Sequence, residues 1–374
     1  MDECKMTTEK NLEGRLFSLD VLRGLDMVLL TVLGPLVNAA QDGWKCFPAG
    51  FIGQFRHGWE CFTLWDIIMP LFIFMCGAAI PYALGKRLEK GQGVFWRHVL
   101  ARVALLWFLG GLVQGNWITL DPLKVTPFSN TLQSIAVGYL VVAAAMSLRS
   151  RALMFVLPIA LAVGYTLLLA FLGDYSKFGN FANKVDHAIL VATLPAQHAR
   201  LVNPSYYTWY LTSAMFAVMT FAGYHSTMIL RSGRTLWCKA AVLGGYGAAL
   251  LAVGLVAEIW VPCIKPIYTL SFTAQAMGWC VLALCALYVL TDIWRLRRGL
   301  GFAIFFGQLA LAAYFTSHFF RPVLTAFAHL LGDGLLQYLP KTSEPFVVCV
   351  LKIVGMLAMM VAWRAFKTCR REMK

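Results

Sequence analysis

A histidine in a polar loop, followed nine residues later by an aspartate at the mouth of an apolar run, sets out the chemistry this chain could perform. The stretch GQFRHGWECFTLWDIIMPLFIFMCG covers residues 53–77. His57 is the residue type whose ordinary titration lies nearest neutral pH, so it suits a general base. Asp66 stands where a carboxylate is costly unless it has a partner or a task. Asp66, Pro70, Ile73 and Gly77 recur at helical spacing, which puts the carboxylate outermost on one face. Pro70 cannot donate to the carbonyl of Asp66. Asp66 therefore reads either as a helix cap or as the group that orients His57 or a substrate, and His57 either as an ordinary loop histidine or as the base. Trp59 and Glu60 share the loop and are expected to face substrate. Glu60 and Cys61 invite a metal reading, but no second Cys or His pair stands at ligand spacing, so no metal is expected.

The elements that must position this loop lie in lipid. Apolar residues make up 59% of the 374, charged residues 13%, and the mean hydropathy is +0.68, which excludes a soluble domain of this size. Runs of about 20 apolar residues, enough to cross roughly 30 Å of hydrocarbon, fall near 19–40, 64–84, 96–114, 131–148, 152–172, 207–230, 236–260, 270–292, 300–320 and 346–364. The expectation is an all-α polytopic membrane protein of ten spans in one bundle. The stretch 322–339 carries His329, Asp333 and Gln337 and reads as an interfacial or re-entrant helix, or else an eleventh span. One transmembrane domain is expected over 1–374, with a short cytoplasmic segment at 1–17 and a basic cytoplasmic tail at 365–374. No cleavable signal is read before the first span, which is expected to be retained.

The net charge of +14 follows the membrane rather than nucleic acid. Twenty-two of the 32 Lys and Arg residues fall in alternate turns, which the positive-inside rule assigns to the cytoplasm together with both termini. His57 is then external, as are the longer loops at 41–63, 115–130, 173–206 and 321–345. His318 ends the ninth span on that same side, could approach His57 there, and is a candidate substrate contact. Among the basic turns, Arg97, Arg102, Arg149, Arg151 and Lys239 are candidate partners for a phosphorylated cofactor. Of the ten cysteines, Cys46, Cys61 and Cys263 are external. A Cys46–Cys61 bridge stays open, because spacing alone does not set disulfide geometry.

The order of motifs resembles the transmembrane heparan-α-glucosaminide N-acetyltransferase family. SLDVLRGLDM at 18–27 precedes HGWECFTLWDIIMPLFIFMCG at 57–77. TLQSIAVGYLVVA at 131–143, NFANKVDHAIL at 180–190 and NPSYYTWYLTSAMFAVMTFAGYHSTMIL at 203–230 follow. KPIYTLSF at 265–272 and GFAIFFGQLALAAYFTSHFF at 301–320 complete the order. The resemblance implies transfer of an acetyl group from cytoplasmic acetyl-CoA to the amine of an amino sugar or glycan on the external side. It places His57 at the family's active-site histidine and Asp66 at its span-opening aspartate. It further points to Asn38 as the asparagine after the LRG motif, and to Asp186 within the fourth of these segments as a substrate contact. Because the large luminal extension of the lysosomal member is absent, it implies a bacterial-type member of the inner membrane. The expected partners are the lipid bilayer, acetyl-CoA, the sugar acceptor and a second copy in a homodimer, with no nucleic acid.

Two other classes compete. A secondary transporter would use Asp66, Glu258, Asp292 and Lys352 at a midplane site, yet no repeated halves are visible and the acids bunch toward span ends. A membrane O-acyltransferase would share the design and differ in the acceptor atom.

Overall fold

The computed structural model describes residues 16–113, 126–193 and 207–372. Among them the chain is helical, and its only β-pairing is a single antiparallel bridge between Glu60 and Ile264. In chain order the helices are α1 (Phe17–Val28), α2 (Gly34–Trp44), α3 (Ala49–Gly53), α4 (Ile68–Glu89), α5 (Gln92–Val113), α6 (Thr131–Ser147), α7 (Arg151–Leu172) and α8 (Phe181–Thr193). There follow α9 (Ser213–Leu230), α10 (Leu236–Ala257), α11 (Leu270–Tyr288), α12 (Gly301–Gln308), α13 (Ala310–Phe319), α14 (Arg321–Leu336) and α15 (Glu344–Glu372).

Six helical segments are long and apolar enough to cross a membrane, and a seventh counts if α12 and α13, bent by 73°, form one broken span. The ten expected spans therefore need correction. Three are helical but fall short of a span by these measures. Residues 19–40 divide into α1 and α2 around a π-helical turn at Leu29–Leu33. Residues 131–148 give only the 17-residue α6. Within 207–230, α9 begins at Ser213 and carries Thr220, Tyr224, His225, Ser226 and Thr227, which dilute its hydropathy. The apolar stretch 322–339 yields α14, 16 residues and not among the spans.

The chain separates into two compact units, His57–Leu282 and the remainder, with the division falling inside α11. In the remainder, α1 packs on α12 and α13, and α15 packs on α2 and α14. The α1–α12 approach is backbone to backbone, since a Cβ at Gly24 would strike the carbonyl of Ala303. Arg23 forms its ion pair with Asp20 at 3.5 Å. The segments 1–15 and the side chains at the end of the basic tail lie outside the described residues.

In the unit His57–Leu282, α4, α6 and α9 form a centre against which α5, α7 and α10 pack. A Cβ at Gly77 would meet the carbonyl of Thr220, and one at Gly223 the carbonyl of Phe74, so both glycines let α4 and α9 touch along their backbones. Thr227 Oγ1 then donates to the Ala78 carbonyl at 2.7 Å. α10 and α11 meet through Gly247, Gly254 and Gly278. The polar residues of α6 and α9 are tolerated because these helices are covered by others: Gln133, Ser134, Thr220, Ser226 and Thr227 are all fully buried.

This arrangement gives the unit two distinct ends. The ends of α4 and α6 and the start of α5 are tied together where Arg149 donates to the Leu88 carbonyl at 3.3 Å and Gln92 to the Ser147 carbonyl at 3.0 Å. The start of α4 lies a helix length of 22 residues away, about 33 Å at the α-helical rise.

Candidate active site

The start of α4 is built by a capping box. Thr63 has extended backbone, and a 3-10 turn, Leu64–Ile67, leads into the helix. Asp66 Oδ2 accepts from the Thr63 amide at 3.0 Å and from its hydroxyl at 2.7 Å. Two donors thus occupy one oxygen of a carboxylate that is 1% exposed. The other oxygen, Oδ1, lies 2.6 Å from His57 Nδ1 and 3.2 Å from Lys265 Nζ. Cap and orienting group were alternatives for Asp66, and the geometry allows both, since Oδ2 closes the cap and Oδ1 meets His57.

At 2.6 Å two unprotonated acceptors would repel, so a proton sits between Nδ1 and Oδ1, and Nδ1–H donates to the carboxylate. That leaves Nε2 as the second ring nitrogen, on a side chain 43% exposed. The imidazole is accessible while its anchor is buried. Tyr207 presents its ring edge-on to His57, with centroids 6.5 Å apart. Burial, with the Asp66 charge adding to it, pushes the Tyr207 phenol above its usual range, so it stays a neutral donor.

Lys265 reaches Asp66 from the segment 262–269, more than two hundred residues from the histidine loop. The Glu60–Ile264 bridge lays this segment along that loop. The segment is also pinned from its other sides: the Thr208 amide donates to the Pro266 carbonyl at 3.1 Å, and Tyr165 donates its hydroxyl to the Ile267 carbonyl. The ammonium is 5% exposed. Burial lowers its pKa and the Asp66 carboxylate opposes that fall. Cys263, beside it, is no nucleophile at neutral pH, because burial first and nearby acids second push its thiol up to about 12. Cys46 and Cys61 are free thiols.

The other residues expected at the site take varied positions. Trp59 is half-buried and its indole N–H donates to the Tyr175 carbonyl at 3.1 Å, fixing the histidine loop to the turn after α7. Glu60 is exposed. Asp186 is buried on α8, and its two oxygens accept from the amides of Trp209 at 2.6 Å and Tyr210 at 3.1 Å. It thereby anchors the segment that carries Tyr207, and its carboxylate is turned to backbone. Asn38 and His318 belong to the other unit; Asn38 is half-buried on α2, and His318 stacks on Tyr314 and holds the Tyr314 carbonyl at 3.0 Å. Of the basic residues, Arg97, Arg149 and Arg151 are exposed and Lys239 half-exposed. Arg102 instead lies over the Tyr139 ring at 4.7 Å, between α5 and α6. Glu258 receives the Gln275 amide at 2.6 Å, and Asp292 accepts from the Ser18 amide at 3.2 Å, so both acids are engaged where they stand.

Thr63, Tyr207 and Lys265 are the site residues that sequence reasoning missed. Lys265 opens KPIYTLSF, a motif singled out for order alone, and a lysine followed by proline and aromatics on the histidine's side was the available signal.

Fold and site together define a multi-pass helical membrane protein with a histidine–carboxylate pair at one end of a helical unit. The chain is similar to the heparan-alpha-glucosaminide N-acetyltransferase of Homo sapiens, with 24% identity over 356 residues, covering 77% of this chain and 50% of the human protein. The chain therefore matches about half the length of that curated relative. No family model matches. At the level of family resemblance, this likeness supports an acyltransferase.

Proposed function

We propose that the protein transfers an acetyl group from acetyl-CoA, bound from the cytoplasm, to the amine of an amino sugar on the external side, with His57 Nε2 as the reacting nitrogen. The observation that carries this reading is the 2.6 Å contact between His57 Nδ1 and the buried Asp66 Oδ1, with the rest of the imidazole accessible. A protonated amine is no nucleophile, so a base must take a proton as the acyl group moves. An imidazole whose Nδ1–H is held by a carboxylate presents Nε2 for that purpose. The same nitrogen would serve if the acetyl group passed through it to the acceptor.

Sidedness rests on the charge distribution. Arg97, Arg149, Arg151 and Lys239 belong to helix termini at the end of the unit remote from His57, about 33 Å along α4. Basic residues on the cytoplasmic side could pair with the phosphates of CoA. Both termini are cytoplasmic in this reading, and α6, α9 and the α1–α2 segment also cross the membrane, which brings the spans to ten. Trp59, Glu60 and the Asp186-anchored segment bearing Tyr207 border the acceptor.

The test is purified protein with radiolabelled acetyl-CoA and a panel of amino sugars beside their hydroxyl counterparts. Label appearing on nitrogen of an amino sugar is the expected result. Label on oxygen would favour the O-acyltransferase, and uptake into vesicles without chemistry would favour the transporter.

A further inference from the structure

Lys265 is, among the described residues, the one buried ammonium at the site. It is 5% exposed and lies 3.2 Å from Asp66 Oδ1 and 3.4 Å from His57 Nδ1. A buried ammonium is costly even when paired, and an apolar side chain of the same volume often packs at least as well. The segment around it is strongly held for so short a loop. The Tyr268 amide closes a turn on the Lys265 carbonyl at 2.9 Å, and the Ile264 amide donates to Thr269 Oγ1 at 3.0 Å. Tyr268 itself sits at φ 45°, the left-handed region that a bulky residue rarely enters. Its ring is buried, with the hydroxyl on Met69 Sδ at 2.8 Å. This rigidity fixes where the cation stands relative to the imidazole.

The position has an electrostatic consequence. A carboxylate alone at 2.6 Å would favour imidazolium, and a protonated Nε2 has no lone pair with which to take a proton or attack an acyl carbon. Lys265 carries the opposite charge at nearly the same reach. Because Nδ1–H already donates to Asp66, the ammonium cannot donate to Nδ1 and acts on the ring through its charge. Among the described residues, the exposed Arg56 adjoins His57 in the chain, and Tyr207 and Glu60 also stand near it. Tyr207 is a neutral phenol presented by its ring edge, and Glu60, on the same loop, is solvated.

We propose that Lys265 is a positioning residue for His57. Its ammonium offsets the charge of Asp66, so that the carboxylate orients the imidazole through Nδ1–H without drawing a second proton onto the ring, and Nε2 keeps its lone pair for the acceptor. This rests on the reading of His57 as the reacting group, but its central test needs no acetyl donor.

The experiment is a pH titration of 15N-histidine-labelled protein in detergent by NMR, with a His57→Gln spectrum to identify the His57 signals, repeated for Lys265→Met and Lys265→Arg. In the parent, neutral His57 carries its proton on Nδ1 and none on Nε2. In Lys265→Met the ring takes up its second proton at a pH higher by about one unit or more, while Lys265→Arg stays with the parent. Where the protein is active, the acid limb of kcat/KM moves up with the NMR midpoint. An unchanged midpoint in Lys265→Met overturns the proposal even if transfer is lost, because the lysine would then be structural. A parent imidazole protonated on Nε2 overturns it as well, and that reading requires no variant to fold. Failure to detect acetyl transfer in a parent with the expected tautomer and midpoint shift would count against the enzymatic reading alone.

Discussion

Asp66 concentrates the consequences of this site in one carboxylate, since Oδ2 closes the capping box with Thr63 while Oδ1 faces His57 and Lys265. Asparagine still offers an amide oxygen to the Thr63 amide and hydroxyl, so the reciprocal capping box at this N3 position can be kept. It cannot balance the Lys265 ammonium. We therefore expect Asp66→Asn to express and insert but to lower turnover by at least tenfold. The acid limb of its rate profile should also move to lower pH, because the ring has lost an anion and kept a cation. Measuring kcat/KM against pH for parent, Asp66→Asn and the double variant Asp66→Asn, Lys265→Met checks this. The double variant should recover part of the shift, whereas equal profiles for all three would reduce Asp66 to a cap. At this scale the pair His57–Asp66 was legible in the sequence, because a nine-residue loop entering an apolar run with a carboxylate at its mouth is a local pattern. Lys265 was not, since a charge two hundred residues away joins the site only through the Glu60–Ile264 bridge and the packing of the 262–269 segment.

Among the elements, α8 and the start of α9 depend on Asp186, a buried acid that caps two amides of a segment rather than meeting solvent. Burial outweighs those amide bonds and pushes its carboxyl up to about 6. A group whose folded value is raised contributes stability that is fully present below its unfolded value, near 3.9. That contribution is lost as pH rises through about 6. The apparent Tm of the detergent-solubilised protein should therefore carry a component that declines across this window, and Asp186→Asn should remove that component while lowering Tm through a lost acceptor. A variant with the parent's slope would assign the dependence to other groups. The sequence marked Asp186 as a substrate contact, and the difference has a physical cause. A carboxylate with both oxygens on backbone amides is indistinguishable, in a sequence, from one facing a ligand. The span count shows the same limit. Hydropathy marks 131–148 and 207–230 as spans like the rest, whereas the helices formed there fall short for different reasons: α6 is only 17 residues long, and α9 carries polar side chains that lower its hydropathy.

On the scale of the whole molecule, the proposed reaction requires that the two ends of the unit His57–Leu282 face opposite compartments. Phe178 lies in the turn that carries Tyr175 beside Trp59, and Gly233 lies between α9 and α10 at the basic end; both are exposed. Cys4 and the cysteines exposed among the described residues, Cys46, Cys238 and Cys369, would first be replaced. In that background, a membrane-impermeant thiol reagent should reach Phe178→Cys in intact cells and Gly233→Cys only after permeabilisation. The reverse pattern would put His57 on the side of acetyl-CoA and remove transfer across the bilayer from the account. The expectation of this polarity rests on the basic turns of the sequence.

The central claim is that His57 performs the transfer, and acetyl transfer by purified His57→Ala is its most direct measurement. The imidazole is half-exposed and its partners Asp66 and Lys265 keep each other, so the variant should fold and retain the parent's thermal midpoint within a few degrees. With radiolabelled acetyl-CoA and an amino sugar accepted by the parent, the account predicts a fall in kcat/KM of about 10²-fold or more. Transfer within a few-fold of the parent by a folded His57→Ala protein would contradict it.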